Sequence, residues 1–282
     1  MGFNRENFEF SFELFPPKNE EGEKRQQEAV HELKELAPAY FSVTFGAGGS
    51  TRERTFQTVD WIQREAGLEA APHLSCIGSR KEDIREILQR YHDAGIRRII
   101  ALRGDIPEDE EAFKEGGFRY ANELVAFIKE EFPDFQVVVG AYPEFHPEAP
   151  DPWTDMENFV RKVKAGADVA TTQYFFTNLS YYKFVDDVQK MGVDIPIKVG
   201  LMPITNFKQI DRFSQMCGAD IPAWIRKRME YYGDDAESQK ELGIDIATRQ
   251  AEDLLANGVP GIHFYTLNKA EATKRIWQNL GL

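Results

Sequence analysis

Cysteine, cationic charge and long apolar runs are all scarce in this chain. Of its 282 residues only two are cysteines, Cys76 and Cys217, far apart and in no CxxC or zinc-type spacing. That argues against a disulfide framework and a thiolate metal site. With no secretory-type leader, it points to a reducing, cytoplasmic setting. Lysine and arginine number 34 against 47 aspartates and glutamates, a net charge of -13. Such a balance argues against nucleic acid or an anionic membrane as the main partner, and leaves room for a local basic pocket. No apolar stretch approaches the ~18 residues of a membrane span. GxGxxG and the Walker lysine are both missing, so "GAGGS" at 46–50 is no nucleotide signature. Its backbone suits either close approach of a cofactor or a plain turn. Metal-binding spacing is missing too. His73, His146 and His263 form no HxH or HExxH, so hydrogen-bonding or satisfied core histidines are expected rather than a metal site.

What the chain does have is a rhythm. Apolar, β-rich runs at 8–15, 40–46, 71–77, 96–104, 135–142, 168–176, 195–202 and 261–267 alternate with charged helical stretches. The helical candidates lie near 20–36, 52–66, 80–94, 117–131, 155–165, 179–191, 206–217 and 268–280. Several end on glycine, as in "DAGI", "KAGA" and "KMGV". Eight strand–helix units predict an α/β fold, a (β/α)8 TIM barrel spanning 1–282 as a single catalytic domain. About 60 residues separate the last two runs, and "CGADIPAWIRKRME" and "DDAESQKELGIDIATRQAEDLLANG" read there as extra helices.

In such barrels the active site lies at the C-terminal ends of the strands. In "FEFSFELFPPK" (8–18), Phe8, Phe10, Phe12 and Leu14 share one parity, and Glu9, Ser11 and Glu13 the other. The aromatic face belongs against the helices. Glu13, last on the other face before Pro16-Pro17, therefore points into the barrel mouth. Desolvation there raises a carboxyl's pKa and suits it to giving a proton; the plainer alternative is a buried glutamate paired with a core arginine. Glu9, deeper, reads as a structural partner. In "RGD" (103–105), Arg103 suits a phosphate and Asp105 an N–H of a heterocycle, or the two form a strand-end salt bridge. Lys198 in "IPIKVG" is a Schiff-base candidate on an isolated lysine, with a strand-face role favoured. A barrel lyase using Lys198 or a metal, and a non-catalytic ligand-binding barrel, stand as competing readings.

The rim segments "FSFELFPPK", "SVTFGA", "AAPHLSC", "ALRGD", "GAYPEFHPEA", "NFVRKVKAGAD", "TTQYFF", "MPITNFKQ", "IPAW" and "HFYTLNKAE" occur in this order from residue 8 to about 271. Together they resemble the methylenetetrahydrofolate reductase family, in its bacterial form without an appended regulatory domain. The resemblance implies a barrel holding FAD that reduces 5,10-methylenetetrahydrofolate to 5-methyltetrahydrofolate by a ping-pong mechanism, with NADH or NADPH as hydride donor, and feeds methionine synthesis. It further implies that Glu13 is the acid that opens the folate's five-membered ring, and that Asp105 binds the pterin close to the flavin.

Other roles follow by resemblance. Thr44, Phe45 and Ala47 fall on the nicotinamide and flavin side. His73, Arg103, Gly104, Tyr120 and Ala121 match FAD contacts, as do Tyr142, His146 and Ala149. Asp155, Asn158, Arg161 and Lys162 match the same set, with the basic residues near its phosphates. Gln173 matches a contact to both folate and nicotinamide, and Gln209 and Phe213 match substrate-side groups. Lys269 stands where many members carry arginine, and Phe45 where the family often has tyrosine. A homo-oligomer is expected from the bacterial relatives.

Overall fold

In the computed structural model, residues 3–45, 49–105 and 117–282 are described. Eight parallel strands close into a barrel in chain order. They are β1 (Glu9–Leu14), β2 (Tyr40–Val43), β3 (Ala70–Ser75), β4 (Arg98–Leu102), β5 (Gln136–Ala141), β6 (Val169–Thr172), β7 (Ile197–Leu201) and β8 (Gly261–Tyr265). The helices between them are α1 (Glu20–Lys34), α2 (Gly49–Arg64), α3 (Lys81–Asp93), α4 (Ala121–Glu131), α5 (Pro152–Lys164) and α6 (Asn178–Lys190). Three more, α7 (Phe207–Cys217), α8 (Ala223–Tyr232) and α9 (Ala236–Ala256), separate β7 from β8, and α10 (Glu271–Leu280) follows. The (β/α)8 barrel with extra helices between its last two strands is what the structure shows. No helix among the described residues is long and apolar enough to cross a membrane.

The alternation in β1 decides its packing. Phe10, Phe12 and Leu14 are buried against the helix ring. Phe12 meets the rings of Phe41 at 5.6 Å, Phe264 at 5.7 Å and Trp277 of α10 at 6.4 Å. The parallel register sets Glu13 beside Ser42 on one side and Tyr265 on the other. Side chains paired in this way point to the same face, so these three look into the barrel. Helix ends follow their glycines: Gly95, Gly166 and Gly192 close α3, α5 and α6 at φ of 84°, 113° and 90°, which a residue without Cβ adopts freely.

Two details differ from the sequence reading. The run at 168–176 leaves the ladder at Thr172, and Tyr174 and Phe176 instead join an apolar cluster with Met202, Ile204, Phe207 and Ile225 above the barrel rim. Their apolarity serves that upper layer, not a strand. The second difference concerns the long amphipathic helix. α9 packs against α6 and α10 and is the ring helix of its unit, so the inserted pair is α7 and α8. Gly243 of α9 permits its approach to the β7 end: a Cβ there would fall 1.9 Å from the Ile204 carbonyl oxygen.

Inside the barrel, Tyr40, Ala71, Ile100, Val138 and Val169 form an apolar plug. Below it lies an ionic layer. Arg98 donates to Glu9 at 2.8 Å and to Glu69 at 2.8 Å, and Lys198 donates to Glu9 as well. Burial pushes the Glu9 carboxyl up, but Lys198 and Arg98 outweigh it and hold the group below its ordinary value. Glu9 is thus the structural partner expected, and Lys198 is committed to it. The barrel should depend heavily on its aromatic outer face. Phe12→Ala is expected to cost about 3–5 kcal/mol, measured as a loss of unfolding free energy in urea.

Candidate active site

The strand ends converge on a cavity of about 400 Å³ at the C-terminal mouth of the barrel. It is lined by the predicted residues Glu13, Thr44, Phe45, His73, Gly104 and Asp105. Tyr142 and Gln173, the first residues past β5 and β6, complete the predicted set in its wall. Each arrives there because its strand ends and the chain turns: Thr44 N–H donates to the Leu14 carbonyl at 2.9 Å, and Gln173 N–H to that of Ala141 at 2.7 Å. Gly104 turns the chain at φ of 89°, and a Cβ on it would fall 1.8 Å from Ser75 Oγ.

Glu13 is the chemical centre of this cavity. Its Oε2 lies 3.4 Å from His73 Nε2 and 3.7 Å from His263 Nε2, and its side chain is 20% exposed. No arginine pairs with it among the described residues. Burial raises its carboxyl above the ordinary range, and His73 opposes this only in part. The two imidazoles are themselves driven neutral. Burial lowers His73 to about 4, with the neighbouring Glu13 pulling it up and His263 pulling it down. Burial and the Lys198 charge lower His263 to about 3. Near neutral pH the carboxyl therefore faces two uncharged rings, and nothing beside it favours its anion strongly.

One flank of the mouth is built by the ends of β4 and β5 and the start of α5. Arg103 pairs with Glu148 at 2.7 Å and donates Nε–H to the Gly104 carbonyl. The Tyr142 ring meets that of His146 at 4.7 Å, edge to face. The His146 N–H donates to Asp155 at 2.9 Å, and the Ala149 N–H to the His146 carbonyl. Lys162 reaches the wall of the cavity, donating to the Gly140 carbonyl at 2.5 Å. Burial lowers its ammonium to about 8, against the pull of Asp155. Arg161 and Asn158 bond each other at 2.7 Å on the exposed side of α5, so of the three predicted anion-gripping residues only Lys162 touches the cavity wall. Tyr120 and Ala121 stand at the start of α4, with Tyr120 exposed. Ala47 lies outside the described residues, as do Gly46 and Gly48 of the glycine-rich run.

The opposite flank holds the remaining candidates. Gln209 is exposed in the first turn of α7, and Phe213, like Tyr265 and Leu267, packs against the upper cluster. Neither lines the cavity. Lys269 opens on a separate recess of about 220 Å³ that shares Tyr265 with the main one. His146 stays with Tyr142, while His73 and His263 meet at Glu13. No group of three His, Cys, Asp or Glu among the described residues has metal-holding geometry.

Sequence reasoning took His263 as a hydrogen-bonding or satisfied core histidine in preference to a metal ligand, and passed over Tyr265. Both are inward residues of β8. Tyr265 donates its hydroxyl to the Thr172 carbonyl at 2.8 Å. The signal was available: "GIHFYTL" alternates as β1 does, with His263 and Tyr265 opposite in parity to Ile262 and Phe264.

The family model described as methylenetetrahydrofolate reductase matches residues 2–281. A protein of Escherichia coli (strain K12) named 5,10-methylenetetrahydrofolate reductase is 42% identical over 272 residues, covering 96% of this chain and 90% of its own. One of that name from Pectobacterium carotovorum subsp. carotovorum is 41% identical over 274 residues, with the same coverage of 96% and 90%. Methylenetetrahydrofolate reductase (NADH) 1 of Arabidopsis thaliana is 36% identical over 285 residues, covering 97% of this chain and 48% of its own length. Among solved structures, an uncharacterized protein from Clostridium thermocellum that binds two copies of 5-methyl-5,6,7,8-tetrahydrofolic acid aligns at TM-score 0.67. Its identity is 15%, over 98% of this chain and 95% of its own, a likeness of fold.

The raised Glu13 pKa has a consequence for stability. A carboxyl that holds its proton more tightly when folded favours the folded chain less as pH rises from the ordinary glutamate value through its raised one. Glu13→Gln removes that loss. The variant is expected to be more stable than the parent at neutral pH and to lose the advantage below the ordinary glutamate range. Urea midpoints measured across pH check this; equal midpoints at neutral pH would contradict it.

Proposed function

The chain belongs to the methylenetetrahydrofolate reductase family, and from that premise we propose that the barrel mouth binds FAD and reduces 5,10-methylenetetrahydrofolate with hydride from NADH or NADPH. The observation that carries this reading is Glu13: a carboxyl at a strand end, raised by burial and flanked by two neutral imidazoles. A general acid must keep its proton near the working pH, and an environment that raises the carboxyl's pKa acts in that direction.

The residues present fit the flavin. His73 Nε2 is buried without a hydrogen-bond partner, ready for a polar atom of a ligand. At Gly140 on the cavity wall, an added Cβ would meet nothing nearer than 3.9 Å, so a flat ring can approach the β5 backbone there. Tyr142, His73 and Gly104 would hold the ring system, and Arg103, His146 and Lys162 would face the phosphates. When bound, FAD would supply the hydride chemistry that links the nicotinamide to the folate. The barrel mouth holds a cavity of about 400 Å³, which supports a ping-pong order in which nicotinamide and folate occupy the same place in turn. NADH is favoured as donor by the Arabidopsis relative's name.

This chain's own side chains act on the folate. Asp105, exposed at the end of β4, accepts N–H groups of the pterin, and its negative charge disfavours an anionic neighbour in the cavity. Gln173 contacts both folate and nicotinamide. Its side-chain oxygen accepts the Tyr174 N–H at 3.0 Å, which turns its amide N–H₂ outward as a donor. Glu13 gives its proton to an amine nitrogen of the folate's five-membered ring. The ring opens, and the carbon becomes an electrophilic iminium that takes up hydride as a methyl group. Gln209, Phe213 and Lys269 stand farther out, on the path of the folate's tail.

The purified protein should be yellow after FAD reconstitution. Its flavin absorbance should bleach anaerobically with NADH and return on adding 5,10-methylenetetrahydrofolate. A protein that stays colourless and inactive with FAD contradicts the reading. In stopped flow, Glu13→Gln is expected to slow the folate half-reaction by about 10²-fold or more, with a far smaller effect on reduction by NADH. Normal folate turnover in that variant would remove Glu13 from its role.

A further inference from the structure

Beneath Glu13 lies a buried imidazole whose hydrogen bonds are unusually constrained. His263 is 2% exposed. Its Nδ1 lies 2.7 Å from Ser11 Oγ and its Nε2 3.3 Å from Ser42 Oγ. Its ring stacks on Tyr40 at 6.1 Å and meets Tyr265 edge to face at 5.5 Å. The titratable groups around it are Glu13 from β1, Tyr40 from β2, His73 from β3, Lys198 from β7 and Tyr265 of its own strand. The ring cannot turn without breaking both serine contacts.

The serines also select the tautomer. Ser11 and Ser42 are both fully buried, and among the described residues the hydroxyl of Ser11 meets Nδ1 of His263 and that of Ser42 meets Nε2. If Nδ1 carried the proton, Ser11 would accept it and its own O–H would be left unpaired in the interior. If Ser11 donates to a bare Nδ1, the hydroxyl left without an acceptor is that of Ser42, whose contact at 3.3 Å is the looser of the two; the 2.7 Å contact has the length of a donating hydroxyl, and it decides between them. The ring proton then sits on Nε2. That N–H faces Ser42 Oγ and, 3.7 Å away, Glu13 Oε2. Catalytic hydrogen bonds in unliganded sites are commonly long and tighten once the substrate is bound.

We infer that His263 is a positioning residue for Glu13: a neutral Nε2–H donor, fixed by Ser11 and Ser42, that steadies the carboxylate left when Glu13 gives its proton to the substrate. The proton balance is simple. One proton leaves Glu13 for the substrate nitrogen, and His263 keeps its own throughout. The design solves a conflict. A cation beside Glu13 would hold it ionised and useless as an acid, whereas no donor at all would leave its conjugate base unsupported. A neutral imidazole with a single directed N–H gives support without charge. His73 Nε2 lies nearer to Glu13, at 3.4 Å, but has no hydrogen-bond partner that holds it as the two serines hold the ring of His263. The inference rests on Glu13 being the proton donor proposed above.

The test reads protonation directly, in the protein without substrates. Infrared difference titration, with Glu13→Gln as the subtraction reference, follows the carboxyl stretch of Glu13 against pH. His263→Phe removes the donor, so the Glu13 titration is expected to move up by about one pH unit. His263→Gln places an amide N–H near the Nε2 position and is expected to bring it back most of the way. Nitrogen-15 spectra of the unmutated protein, assigned against His263→Gln, should show a neutral ring with its proton on Nε2 across the titration. A proton on Nδ1, an imidazolium, an unmoved titration in His263→Phe, or a glutamine variant shifted as far as the phenylalanine one would each overturn the inference. If these spectra agree while folate is not turned over, the reductase reading fails and the pairing of His263 with Glu13 stands.

Discussion

A carboxyl held above its ordinary pKa inside a barrel needs surroundings in which no cation pairs with it, and here that freedom is arranged from below. Lys198 and Arg98 supply the positive charge of the barrel floor, and Glu9 and Glu69 bind them in place. Seen from the next layer up, Lys198 acts at a distance: its charge, added to burial, keeps His263 from taking a proton. His263 in turn depresses His73. Two uncharged rings then face Glu13, and burial alone decides its pKa direction. Coulomb energies are larger in a poorly hydrated interior than in water, so the place of Lys198 contributes, beside burial, to keeping His263 uncharged below Glu13.

The fold makes this layering cheap. Parallel strands with strict alternation send one residue in two toward the barrel axis, and successive inward residues stack in levels. β1 contributes to each level: Glu9 to the floor, Ser11 beside His263, Glu13 to the mouth. The apolar plug of Tyr40, Ile100 and Val138 fills the space around the column. Tyr40 belongs to both worlds. Its ring carries the Arg98 guanidinium at 4.0 Å and stacks on His263, so it spaces the charged floor from the neutral middle.

Above the rim, the β7–β8 insertion supplies a second apolar layer. Tyr174 bonds Ser214 of α7 at 3.1 Å, and Glu144 of the β5–α5 loop accepts the Asp220 N–H at 2.9 Å. Gly218 sits at φ of 79° against Pro147, where a Cβ would come within 3.0 Å. These contacts set α7, with Gln209 and Phe213, beside the mouth but outside the cavity itself. The two flanks are therefore chemically different: one polar and basic around Arg103, His146 and Lys162, the other apolar around Tyr174 and Phe213.

Much of this was readable from residue order. Period-two alternation in "FEFSFEL" set the face of Glu13, and the glycines after charged turns marked where α3, α5 and α6 stop. The eight-fold rhythm set the closed barrel, and the rim motifs located most residues of the cavity wall. These features are local, because backbone geometry ties parity and φ to the residues themselves. Three things were not local. Whether Tyr174 and Phe176 extend a strand or cap the rim depends on α7 and α8 lying above them. Whether α9 is inserted or belongs to the ring depends on its packing against α6 and α10. And whether His263 is a ligand, a core filler or a partner of Glu13 depends on Ser11, Ser42 and Lys198, which come from three other strands. The sequence by itself determined which side chains face the axis and where the strands end. Only closure of the barrel decided their neighbours, and those neighbours determine pKa and tautomer, because electrostatic and hydrogen-bonding energies depend on distances across the sheet that spacing along the chain does not encode.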